Sequence, residues 1–179
     1  EKRLWRQIKG LSYASLFNVI TNALQLGKIE YAEEVLEKYV SEISEDIRSS
    51  VFNLCHAWIL FFKGDYEGAH EGITRVITEN LLIKYELRSL QCFIYLQKQE
   101  WELLNAALES FRQFIAYNKN NMESAIADLF NSICKNVSAL AKLHPDYKQK
   151  DKDKLIQSLN NEKTSYMRNW MLQKIINGK

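Results

Sequence analysis

The sequence predicts an all-α protein built from antiparallel helix pairs, and three observations carry that prediction. Six glycines and one proline in 179 residues fall well below the average share of about 12%, too few turn formers for a sandwich or barrel of many short strands. Apolar residues recur at spacings of three and four through long stretches, the period of a helix that buries one face. A short run of residue types, a turn residue followed by a helix opening, appears three times. The length suits one domain that buries about 70% of its unfolded surface.

Residues 1–10 are a basic segment, with Lys2, Arg3, Arg6 and Lys9 against Glu1. It reads as the end of a preceding repeat, and the start without Met in an amphipathic stretch suggests a piece of a longer protein. Residues 11–117 hold three helix pairs. The first helices are expected over 11–26, 51–62 and 85–96, each an apolar stretch running into a turn. The turns are carried by Gly27, Ile29 and Ala32, by Gly64, Asp65, Tyr66 and Ala69, and by Gln99, Trp101 and Leu104, spaced 37 and then 35 residues apart. After each turn the apolar residues keep helical spacing: Ala32, Val35, Leu36, Tyr39, Val40 and Ile43; Ala69, Ile73, Val76 and Ile77; Leu104, Leu108, Phe111 and Ile115. Small side chains before the turn, Ala57 and Cys92, allow the two helices of a pair to approach closely.

Residues 118–179 depart from this pattern and read as a longer C-terminal hairpin. Asn120 and Glu123 form a capping box that opens a helix over 122–143, with Ala125, Leu129, Ile133, Val137 and Leu140 along it. His144 and Pro145 stop it. The alternating charges of 148–154 form a solvated linker or first helical turn. A last helix over 152–176 places Leu155, Leu159, Tyr166, Trp170 and Met171 near one side.

The turn motif, best preserved in Gly64, Asp65, Tyr66 and Ala69, resembles that of the tetratricopeptide repeat (TPR) family, whose unit of about 34 residues is a helical hairpin. The resemblance covers roughly residues 11–117. It implies a right-handed array of antiparallel hairpins, an α-solenoid of about eight helices, closed by residues 118–179 as a capping hairpin. The C-terminal composition is also similar to that of bacterial proteins of this repeat type. In the family the first helices line a concave face where lysines and asparagines clamp a peptide carboxylate. The matching positions here are Phe17 and Thr21, Leu54 and Trp58, and Ser89 and Phe93, so the basic clamp is replaced by an apolar, aromatic face with Phe61 or Phe62 beside it. The candidate partner-binding residues are therefore Phe17, Leu54, Trp58, Phe61 and Phe93. Two readings stay open for them: a groove for an amphipathic helix or apolar peptide, or packing beneath neighbouring helices.

No strong chemical motif accompanies this scaffold. Twenty-four Lys and Arg against 22 Asp and Glu give a net charge of +2, which argues for neither nucleic acid nor an anionic membrane as partner. The longest apolar run, 58–62, ends at Lys63, far short of the ~20 residues that span a bilayer. Cys55, Cys92 and Cys134 are too far apart for a zinc spacing or a disulfide framework. His56 follows Cys55, but neighbours on a helix point about 100° apart and do not face each other. The histidines lack a metal-binding spacing, the glycines build no phosphate loop, and carboxylate pairs such as Glu33 with Glu34 lie in solvated stretches. The expectation is therefore no catalytic, cofactor-binding or metal-ligating residue, hence no enzyme and no cofactor. The expected role is a non-enzymatic protein–protein interaction or scaffold domain, a fragment of a larger cytoplasmic protein that binds a protein or peptide. The alternative is a ligand- or peptide-responsive regulatory domain joined to an upstream DNA-binding or catalytic domain.

Overall fold

The computed structural model describes residues 12–143, 149–162 and 167–177. Among these residues the chain is all-α, with nine α-helices, two short 3-10 turns and no strand. The helices are α1 (Tyr13–Gln25), α2 (Ile29–Tyr39), α3 (Glu45–Lys63), α4 (Tyr66–Thr74), α5 (Leu81–Lys98), α6 (Trp101–Asn118), α7 (Ser124–Lys142), α8 (Gln149–Asn161) and α9 (Arg168–Asn177). The basic segment 1–10 lies outside the described residues, as do His144, Pro145 and Tyr166. Contacts divide the chain into two units, Glu1–Leu90 and Gln91–Lys179, with the boundary inside α5.

The three turns share one local structure. Gly27, Gly64 and Gln99 all adopt a left-handed backbone, with φ of 71°, 86° and 56°. Each turn then closes the preceding helix with the same pair of bonds. The amide of the left-handed residue donates three residues back, to the carbonyl of Leu24, Phe61 or Leu96, and the next amide donates five back, to that of Ala23, Leu60 or Tyr95. This is the Schellman closure that satisfies the last carbonyls of a helix. Glycine takes the conformation without a Cβ clash, whereas Gln99 adopts it with its side chain exposed. In the second turn Asp65 also caps α4 by accepting from the Gly68 amide at 2.9 Å.

In the first unit α1 packs on α2 and on α3, and α3 on α2 and α4. Leu16, Phe17, Ile20, Ala32, Leu36, Leu54, Trp58 and Ala69 are all essentially excluded from solvent. The α3/α4 pair is close because small residues meet: a Cβ added at Gly72 would stand 3.0 Å from that of Ala57. Helix α4 is shorter than its apolar spacing suggests and ends at Thr74. Ser50 on α3 donates to the Ile77 carbonyl and Asn53 donates to that of Arg75 at 3.3 Å. Those carbonyls are thus held by α3 rather than by a continuing helix, and the β-branched residues Ile73, Thr74, Val76, Ile77 and Thr78 disfavour continuation. Ile77, expected on the buried face, is 86% exposed.

In the second unit α6 packs on α7, with Phe111 and Phe130 rings 5.8 Å apart, and α8 packs on α7 and α9. Helix α7 starts at Ser124 with Glu123 as its N-cap and no side-chain cap bond, so the capping box expected from Asn120 and Glu123 does not form. The expected last helix over 152–176 is two helices, α8 and α9, which accounts for nine helices rather than about eight. Asn160 and Asn161 are weak helix formers at the end of α8, and Met167 before α9 has φ of 60°. Leu155 and Leu159 are thereby buried from α8, and Met171 and Ile175 from α9. Trp170 on α9 meets Phe93 edge-on at 5.2 Å, and Lys174 donates to the Gln97 side chain at 2.6 Å.

Candidate functional site

The five residues expected to form a partner-binding face are interior. Phe17 and Phe61 are 2% exposed, and Leu54, Trp58 and Phe93 are 0% exposed. Thr21 and Ser89 are buried as well. Trp58 lies against Phe17 at 6.4 Å and Phe61 at 5.8 Å, both edge-on, and near Phe62 at 6.4 Å. Edge-to-face pairs at these separations are how aromatic cores pack. Such enclosure fits the reading of these five residues as packing beneath neighbouring helices.

The neighbouring Cys55 and His56 also point apart. Cys55 is fully buried, and burial first, then the nearby Glu86 carboxylate, pushes its thiol far above the ordinary range. His56 is exposed and stacks on Phe52 at 5.8 Å. A protonated, enclosed thiol is a poor nucleophile. Tyr13 faces the same carboxylate, and burial followed by Glu86 raises its phenol too. Cys134 is pushed up to about 11 by burial, with Arg112 acting in the opposite direction. Among the described residues no three His, Cys, Asp or Glu side chains converge as metal ligands would, and no helix is long and apolar enough to cross a membrane.

Two polar constellations among the described residues of the second unit bear on function. In the first, Asn136 on α7, 1% exposed, donates to both carboxylate oxygens of Glu162 at 3.1 Å, and Ser132 donates to the same group at 2.8 Å. Arg168 donates to the Glu162 carbonyl. This cluster pins the end of α8 and the start of α9 to α7 and is structural.

The second is an open cationic groove of about 430 Å³ between α6 and α7, lined by Arg112, Asn131, Lys135, Ser138, Ala139 and Lys142. Four of these, Asn131, Lys135, Ser138 and Lys142, follow one another at intervals of four, three and four along α7, which puts them on a single stripe. Arg112 reaches in from α6, its guanidinium fixed by Ser138, which accepts at 2.7 Å. Its other nitrogen stands 3.8 Å from Glu109. Among the described residues neither Lys135 nor Lys142 has an ion-pair partner. Three cations thus meet one loosely held carboxylate. Sequence reading passed over this groove. The α7 stripe was legible as a polar face, but the arrival of Arg112 depends on how α6 registers against α7.

No protein-family model, no curated protein and no solved structure matches the chain.

Proposed function

We propose that this chain is a non-enzymatic protein-binding module, a helical-hairpin array of the tetratricopeptide type working in the cytoplasm as part of a larger scaffold. The three Schellman turns at Gly27, Gly64 and Gln99, closed by the same pair of hydrogen bonds, support a repeated hairpin unit. The observation that carries the binding role is the α6–α7 groove, which is open rather than enclosed and displays Arg112, Lys135 and Lys142 beside amide and hydroxyl groups. Such a surface suits another protein's carboxylates, since Arg offers a planar two-pronged donor and Lys a mobile point charge. No aromatic side chain lines it, so it lacks the stacking platform on which single-stranded nucleic acid is usually held. The proposed contact surface thereby moves from the first helices, where the aromatics are buried, to the α6–α7 groove.

The experiment is affinity capture from the native cell extract by the immobilised chain and by the triple variant Arg112→Ala, Lys135→Ala, Lys142→Ala, with circular dichroism confirming equal helicity. Proteins held by the wild type and released by the variant support the reading. Identical capture by both, or none by either, overturns it.

A further inference from the structure

The chain carries a charge pattern complementary to its own groove. Up to Leu90 it has 11 Lys and Arg against 13 Asp and Glu, and from Gln91 onward 13 against 9. The acidic excess is concentrated in residues 28–48, with seven acids and three bases. On α2 three of these acids, Glu30, Glu34 and Glu37, are exposed and fall within one narrow stripe, since spacings of four and three bring residues to the same side of a helix. Glu33, one step round, is occupied by Lys63 at 2.6 Å. Among the described residues Glu30, Glu34 and Glu37 have no ion-pair partner.

The two stripes match in length. Glu30 and Glu37 are seven residues apart, as are Lys135 and Lys142, and seven residues of helix rise about 10 Å. Laid along the groove, an α2 stripe would bring its end carboxylates to the two lysines and Glu34 to the guanidinium that Ser138 holds in place. Tyr31, 52% exposed at the stripe's edge, has Ala139 of the groove as an apolar counterpart. A single phosphate cannot bridge lysines set that far apart.

We infer that the α6–α7 groove of one copy of this chain receives the α2 acidic stripe of a second copy. The two surfaces differ, so the contact is head-to-tail: each copy that offers a groove still offers a stripe, and association grows into open oligomers unless geometry closes a ring. Exposed ion pairs hold such a contact, so it is weak and weakens as salt screens it. This inference rests on the reading of the groove as a protein contact.

The test is sedimentation of the purified chain over a concentration series, at about 50 mM and about 500 mM salt, between which the screening length shortens about threefold, from ~14 to ~4 Å. Expected is a mass that climbs with concentration at low salt, with an apparent dissociation constant about tenfold or more weaker at high salt. Two variants follow, Lys135→Glu with Lys142→Glu, and Glu30→Lys with Glu34→Lys and Glu37→Lys. All five side chains are exposed, and circular dichroism checks that each variant keeps its helices. Each alone stays monomeric, while their equimolar mixture associates into alternating oligomers, because the reversed groove takes the reversed stripe and the untouched groove takes the untouched stripe. Glu109→Gln, which frees Arg112, tightens wild-type association. A wild type monomeric at every concentration, or a mixture that fails to associate, overturns the inference. If that monomer still captures proteins through the groove, the binding reading stands alone; if capture ignores the groove, both fall.

Discussion

Truncating Trp58 to alanine separates an aromatic interior from an aromatic groove in a single measurement. The indole is 0% exposed and meets the rings of Phe17, Phe61 and Phe62 at 6.4, 5.8 and 6.4 Å. Removing a buried aromatic side chain costs about 3–5 kcal/mol. The loss here belongs at the upper end, because the ring takes part in two edge-on pairs, each of which adds about 0.5–1.5 kcal/mol beyond area burial. Set against a total stability of about 5–15 kcal/mol for a domain, Trp58→Ala removes a third of it or more. Trp58→Phe keeps a ring for Phe17 and Phe61 to meet and loses less. The assay is guanidinium unfolding followed by circular dichroism and by fluorescence of the remaining tryptophans, with coincidence of the two curves testing whether a single transition is being read. The control is Ile77→Ala, at a side chain 86% exposed, expected within about 0.5 kcal/mol of wild type. If Trp58→Ala unfolds at the same midpoint as Ile77→Ala, the indole is not core and the packing argument fails.

Gly72→Val places methyl groups where a Cβ already stands 3.0 Å from Ala57; the expected cost is about 1–3 kcal/mol, and a melting temperature equal to wild type would show that α3 and α4 are farther apart. Asn136→Leu strips Glu162 of one of its donors and should cost about 1–3 kcal/mol. A double-mutant cycle with Glu162→Leu should recover part of that loss, and additive losses would deny the coupling. Stability should fall as pH rises above about 9, the range in which free thiols and phenols ionise. Burial raises Cys55, Tyr13 and Cys134, the last to about 11, so the native state holds protons that the unfolded chain has released, and the stabilisation present below that range is lost through it. Unfolding curves flat from pH 8 to about 11 would contradict the burial of these groups.

The all-α class was legible because it depends on local quantities: turn-former scarcity and a helical period summed over long windows. The turns at Gly27, Gly64 and Gln99 were legible for the same reason, since a helix that must stop signals it within a few residues. What escaped was set by tertiary partners. Nothing near Ile77 in sequence says that Ser50 and Asn53, on the neighbouring helix, will take the carbonyls that α4 needed to continue. Likewise the apolar spacing through 152–176 is shared by one long helix and by two short ones, and the break follows from Met167 and from Glu162 turning toward Ser132 and Asn136. The cationic groove has the same character: half of it is a stripe on α7, the other half is an arginine on α6.

The fate of the first-helix aromatics has a consequence for how such a module would recognise anything. Phe17 and Trp58 are spent on packing α1 against α3, so a partner cannot be gripped there without opening the core. The exposed apolar residues left among the described ones, such as Leu26, Tyr31, Ile77, Leu103 and Tyr117, are distributed over several helices and loops and supply no single anchor of the sort that dominates a tight interface. The recognition proposed for the α6–α7 groove would then be electrostatic. Charges at an exposed face mainly raise the encounter rate and choose between partners, while contributing modestly to the lifetime of the complex. A contact built this way is fast, salt-sensitive and individually weak, and gains strength only when several copies or several sites engage together, which is what the proposed head-to-tail association would supply.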